Sequence, residues 1–258
     1  MQVSYSLFDR NYVVDTEETT QRSRGFMHPV LVAIAALLLD KHTAYFYENG
    51  VGAIGLPFQE GTDTSRVVHP VTLARMRKFM LSALGTGIAF RNPFITETKG
   101  TMCARLTDPL LRNAIARSVS CDEFPQRIAG CAQCGICPAC LMRRVSLHYA
   151  HLSDVDRESH YRFDVTGRAH VLSEQRLYAL HTMLYQVETF RQCLGQSGWE
   201  GLVIRFPELV TVADTIEQEE GVDHDGVVSL LATLYRGYIR EWESFPYQLP
   251  SPNLALCG

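Results

Sequence analysis

CDEFPQRIAGCAQCGICPACLMRR, residues 121–144, holds five of the eight cysteines in this 258-residue chain. Cys134, Cys137 and Cys140 form a C-x₂-C-x₂-C run; Cys131 and Cys121 lie upstream of it. A tight turn at that spacing presents two sulfurs about 3.5–4 Å apart, so four thiolates can close a tetrahedron around one Zn²⁺. Gly135 suits the turn, where a positive φ or a close backbone approach is needed. The preferred ligand set is Cys121, Cys134, Cys137 and Cys140; the competing set puts Cys131 in place of Cys121. Free thiols or a disulfide pair are the plainer reading, but clustered cysteines usually share a purpose. Four protein sulfurs leave no open coordination position, so such a metal is structural.

Working outward, 46% apolar and 20% charged residues are an ordinary globular composition. A net charge of −4 and a pI near 6.1 argue against a sequence-independent nucleic-acid binder, including a zinc ribbon of that kind. The first residues, MQVSYSLFDR, lack the basic and apolar regions of a signal peptide. The longest apolar run, residues 30–39, is about half a membrane span and reads as a buried helix. A cytoplasmic protein with no membrane partner is expected, with thiols used for metal rather than disulfides.

Upstream of the cysteines, periodicity predicts a strand within 1–15, a helix start at 16–20 and a helix over 22–39 despite Pro29. TAYFY, residues 43–47, reads as a strand ending at Glu48-Asn49-Gly50. Ligands bind beyond the carboxyl ends of parallel strands, which puts Glu48 and Asn49 where a ligand can sit. A plain turn is the alternative, since Asn-Gly tolerates φ > 0. Residues 52–65 read as a glycine-rich functional loop. A helix over 70–84, a strand over 88–90, a turn over 92–100 and a helix over 101–117 follow. Lys99 near that last helix start opposes the macrodipole, so it either meets an anion or is simply solvated. Residues 138–151 read as a helix, 152–172 as a polar linker, and 173–195, 208–220 and 227–242 as three further helices.

These residues resemble a family. The stretch from Ser118 to Arg144, with its separate upstream Cys and its CG-x-C-x-x-C run before a basic residue, looks like the zinc-binding end of the 7-cyano-7-deazaguanine synthases, the QueC family. QRSRGF (21–26), FYENGVGAIGLP (46–57) with TSRVVHP (64–70), and NPFITETKG (92–100) resemble further landmarks of that family in the same order, on a branch associated with anti-phage defence. The resemblance covers roughly residues 20–150.

It implies an α/β fold: a partial nucleotide α-hydrolase-like parallel sheet with flanking helices, of the PP-loop ATP pyrophosphatase superfamily. The zinc knuckle would belong to a QueC-like domain, residues 1–150, followed by a helical extension, residues 151–258. It implies ATP-dependent adenylation of a carboxylate on a 7-deazaguanine, then nitrile or amide formation or conjugation to an amine. Arg24 and Lys99 would be catalytic cations; Glu48, Asn49, Arg66, His69 and Arg143 would bind substrate. The SGGxDS phosphate loop is not in these 258 residues. ATP and Mg²⁺ are therefore expected to engage through a PP-loop half supplied elsewhere, with a PP-loop subunit or a homodimer as partner. A protein substrate is among the candidates, as is a non-enzymatic role holding a partner or modified nucleotide.

Overall fold

In the computed structural model, residues 24–58, 66–122, 133–156, 161–167 and 172–248 are described. The expected strand in 1–15 and helix start at 16–20 lie outside them. The described part is mostly helical, with one two-stranded parallel sheet.

Helix α1 (Arg24–Leu38) leads to strand β1 (Thr43–Tyr45), a short helix α2 (Gly50–Ile54), helix α3 (Pro70–Leu84) and strand β2 (Ala89–Arg91). The strands pair Thr43 with Ala89, Ala44 with Phe90 and Tyr45 with Arg91. Helices α1 and α3 cover this pair, burying Ala33, Ala36, Leu73, Met76 and Met80 against Ala44, Ile88 and Phe90. Local chemistry sets the limits of α3. His69 Nδ1 accepts the Val71 N–H at 3.3 Å, Pro70 opens the first turn, and Gly85 closes the helix in the left-handed region.

The helix expected over 101–117 is two helices, α4 (Lys99–Ala104) and α5 (Pro109–Arg117). Proline at 109 cannot continue α4, and Asp108 caps the new helix by accepting the Leu110 N–H at 2.8 Å. Helix α6 (Pro138–Tyr149) follows the cysteines. Then come α7 (Glu174–Ser197), α8 (Trp199–Arg205), α9 (Glu208–Glu220) and α10 (His224–Ser244).

The helices beyond residue 150 share their core with the segment before it. Val51, Ile54 and Leu56 near α2, and Leu141 and Val145 on α6, sit in one cluster with Leu180, Phe190, Leu209, Leu234 and Trp242. The apolar spacing of α10 explains this: Val227, Leu231, Leu234, Tyr238 and Trp242 return to one face every three or four residues. Fully burying such side chains stabilises the fold by about 1.5–3 kcal/mol each. The boundary drawn at 150 is therefore a boundary in the chain and not in the core. Residues 152–172, read as a linker, likewise contribute packed groups, Asp156, Tyr161 and Val165 among them. No helix among the described residues is long and apolar enough to cross a membrane.

Candidate metal centre and adjoining cavity

Cys121, Cys134, Cys137 and Cys140 place their sulfurs within 4.8 Å of one another. Cys134 Sγ lies 3.9 Å from Cys140 Sγ. Four thiolates at about 2.3 Å from a tetrahedral ion stand about 3.8 Å apart, so the cluster can hold a metal ion. Backbone N–H groups support the sulfurs: Cys134 N–H donates to Cys121 Sγ at 3.4 Å and Cys137 N–H to Cys134 Sγ at 3.3 Å. Three of the four cysteines are buried. Without a cation, their protons are shared unequally. Hydrogen bonds donated by Cys137 and Cys140 drive the Cys134 thiol far down, and the same contacts push Cys140 up. A divalent ion relieves that competition by taking the place of the protons. Cys131, the alternative ligand, lies outside the described residues.

The knuckle is braced from two sides. Gly135 has φ +85°, and a Cβ there would collide with the Phe163 carbonyl. Residues 161–163 run beside it, with Arg162 N–H donating to Gln133 O at 2.9 Å and Phe163 N–H to Cys134 O at 3.0 Å. On α6, the Arg143 guanidinium is satisfied inside the protein. It reaches Asp156 Oδ1 at 2.9 Å, Ser118 Oγ at 2.6 Å and Ile115 O at 2.7 Å. Tyr161 donates to the other Asp156 oxygen at 2.6 Å. Arg143 thus ties α5, α6 and Asp156, with Tyr161 behind it, around the knuckle. This corrects the expectation that it touches substrate: its donors point at buried acceptors. The Arg144 guanidinium lies over the Tyr161 ring at 4.8 Å.

The carboxyl ends of β1 and β2 are tied together. Asn92 Nδ2 donates to Glu48 O at 2.8 Å, and Gly50 N–H donates to Glu97 O at 2.8 Å. Glu48 Oε1 accepts both the backbone N–H and the side-chain Nδ2 of Asn49. Asn49 Oδ1 accepts the Gly52 N–H at 2.9 Å and so caps α2. The turn before α4 is thereby held at the same end of the sheet. The consequence is a cavity of about 370 Å³ whose wall includes Glu48, Asn49, Lys99, Asp122 and, from the knuckle helix, Pro138 and Met142. Cavities of this volume take small molecules, typically with apolar walls and a few polar groups.

The structure therefore gathers Glu48, Asn49 and Lys99 beside the cysteine knuckle. It does not bring Arg66 or His69 to the cavity wall. Arg66 is exposed and pairs with both Glu208 oxygens at 3.0 Å, linking its loop to α9. His69 is buried as the α3 cap, and burial followed by Arg66 and Arg75 lowers its pKa to about 4, so it is neutral. Arg24 opens α1, and its side chain lies outside what is described. Sequence reasoning missed Gln186 and Tyr238, which also line the cavity from α7 and α10. Both fall within amphipathic helices, where a lone Gln or a Tyr on the apolar face gives no local signal. Asp214, Glu217 and His224 also come together, but they are largely solvent-facing and form a helix-end ion pair, with His224 Nδ1 3.0 Å from Glu217.

One buried carboxylate controls the turn that carries Lys99. Glu241, on α10, accepts the Gly100 N–H at 2.9 Å, and Gly100 leaves room for it by having no Cβ. Burial pushes the Glu241 carboxyl up to about 7, against hydrogen bonds from Thr98, Gly100 and Thr101. The folded protein then holds this proton more tightly than the unfolded chain. The resulting stabilisation is full below the unfolded value near 4.5 and is lost as pH rises through about 7. Glu241→Gln should remove that slope. Relative to wild type it should gain roughly 3 kcal/mol between pH 4.5 and pH 8, read by thermal melts at both values. Parallel pH profiles for the two proteins would contradict the assignment.

No protein-family model, curated protein or solved structure matches the chain.

Proposed function

We propose that this chain is the ligand-holding part of a QueC-like system. It carries a structural Zn²⁺ in the four-cysteine knuckle and holds a 7-deazaguanine-type small molecule in the adjoining cavity. The observation that carries this reading is the convergence of Glu48, Asn49 and Lys99 on one cavity at the carboxyl end of a parallel strand pair, against the knuckle helix. Glu48 offers a carboxylate to the N–H edge of a guanine-like ring. Lys99 offers a cation to a carboxylate or to charge developing on it. A wall that includes Val51, Leu56 and Phe58 suits a flat heterocycle.

On this reading the fold belongs with the nucleotide α-hydrolase-like sheets, and ATP with Mg²⁺ is gripped by a PP-loop segment outside these 258 residues. Adenylation of the substrate carboxylate by ATP releases pyrophosphate and makes AMP the leaving group. An amine then displaces AMP to give an amide, and where the amine is ammonia a second adenylation on the amide oxygen and loss of AMP give a nitrile. The system would act in anti-phage defence or nucleic-acid modification. A second reading, a non-enzymatic subunit that only holds its ligand or a partner, draws on the lack of an SGGxDS loop in this sequence.

Calorimetric titration with 7-carboxy-7-deazaguanine tests the shared claim. Wild type should bind it, and Lys99→Met should weaken binding about tenfold or more while leaving the melting temperature within about 2 °C, because the lysine is a partly exposed helix-start residue. A wild type that does not bind the compound overturns the reading. ATP-to-pyrophosphate turnover on adding a PP-loop polypeptide would separate enzyme from holder.

A further inference from the structure

Two buried polar side chains on the C-terminal helices keep an unused hydrogen-bonding capacity beside the cavity. Gln186, on α7, is 3% exposed. Its Nε2 donates to Leu56 O at 2.9 Å and Pro57 O at 3.1 Å. Both of those partners are carbonyls, so the amide orientation is fixed: the nitrogen must face them, and Oε1 must face away. Among the described residues, Oε1 has no hydrogen-bond partner. Tyr238, on α10, is 2% exposed; its hydroxyl can accept from the neighbouring Trp242 indole N–H, but its own proton has no acceptor among the described residues. Burial pushes its phenol up, so it stays a neutral O–H that can donate. Both side chains line the cavity that holds Glu48 and Lys99. An unpaired buried acceptor and donor each cost the fold desolvation energy, which calls for an occupant that offsets it.

We infer that Gln186 and Tyr238 are specificity-determining residues of this cavity, accepting from and donating to the lactam edge (N–H and C=O) of a planar heterocycle. The assignment rests on the cavity reading above and adds that the C-terminal helices choose which ring enters. A site built around such an edge rejects a ring that lacks it, because the protein groups are then left unpaired. Glu48 and Lys99 lie on the N-terminal half of the wall; Glu48 keeps the exocyclic 2-amino N–H of the ring edge, and Lys99 the carboxylate.

The test uses the zinc-loaded full chain, calorimetry and two probes of equal size: 7-deazaguanine, which has the lactam, and 2,6-diamino-7-deazapurine, which does not. Wild type should prefer 7-deazaguanine by about tenfold or more. Tyr238→Phe removes a hydroxyl whose proton has no acceptor among the described residues. It should melt within about 4 °C of the wild-type temperature yet bind 7-deazaguanine about tenfold more weakly. Gln186→Met also releases the Leu56 and Pro57 carbonyls, so its overall affinity is not the readout. Its ratio between the two rings is, and this should fall toward one. If both variants keep the wild-type ratio and affinity, buried water satisfies the two groups and the assignment is overturned. A wild type that binds neither ring overturns the cavity reading itself, and this inference falls with it.

Discussion

Replacing Cys134 with serine is expected to strip the knuckle of its metal and unfold the region around it. Cys134 is the hub of the cluster. It accepts the Cys137 N–H, donates its own N–H to Cys121, and lies 3.9 Å from Cys140 Sγ. A serine hydroxyl does not ionise near neutral pH and is a poor replacement for a thiolate. Structural zinc contributes about 10–16 kcal/mol to the folding of small zinc domains at neutral pH, so its loss exceeds any single packing defect here. Metal analysis should fall from one bound metal ion per chain to background, and the melting temperature should drop more than for any other single substitution named here. A strong chelator should reproduce the effect in wild type. Two controls sharpen the result. Cys193→Ser, on α7 and outside the cluster, should retain the metal. Cys131→Ser should retain it as well, whereas Cys121→Ser should not, which decides between the two ligand sets. Unchanged metal content in Cys134→Ser would sink the site.

The second large effect is expected at Arg143. Arg143 and Asp156 are 5% and 4% exposed, with 2.9 Å between Nε and Oδ1. Arg143→Met leaves the Asp156 carboxylate buried with Tyr161 as its remaining hydrogen-bond donor in this network. Breaking one side of a buried pair costs about 3–5 kcal/mol, because the surviving charge is uncompensated. For a chain of this size that corresponds to roughly 10 °C in melting temperature. Adding Asp156→Leu to the Arg143→Met background should recover part of the loss, since it removes the stranded charge. A thermal double-mutant cycle reads both steps. If Arg143→Met melts within about 2 °C of wild type, the guanidinium is not the brace described above.

What could be read from the sequence divides along the range of the interactions. Helix α3 was legible because His69, Pro70 and Gly85 are local signals, and α9 because Gly221 ends its apolar period. The knuckle was legible because its spacing is itself the chemistry. The break between α4 and α5 had a signal too, Asp108-Pro109, which the apolar pattern on either side overrode. Helix α2 was different. GVGAI reads as flexible loop, and it becomes helical because Gly50 packs directly against Ile95 O and Leu234. Arg66 and Arg143 are expected at the substrate only from the family resemblance, which says nothing of their partners in this fold. Their partners are Glu208, 142 residues away, and Asp156, 13 residues on and beyond the end of α6. The cavity wall shows the same limit, for nothing near Gln186 in sequence announces Leu56.

The shared core also has a consequence during synthesis. Glu241 accepts the N–H that starts the helix carrying Lys99, and Leu234 and Tyr238 close over α2 and its cavity. All three leave the ribosome far behind the segments they complete. At about 5–20 residues per second, Val51 and Ile54 wait roughly 10–40 s before α10 arrives to cover them. During that interval the apolar groups of residues 51–56 lack the cover that α10 gives them in the folded protein.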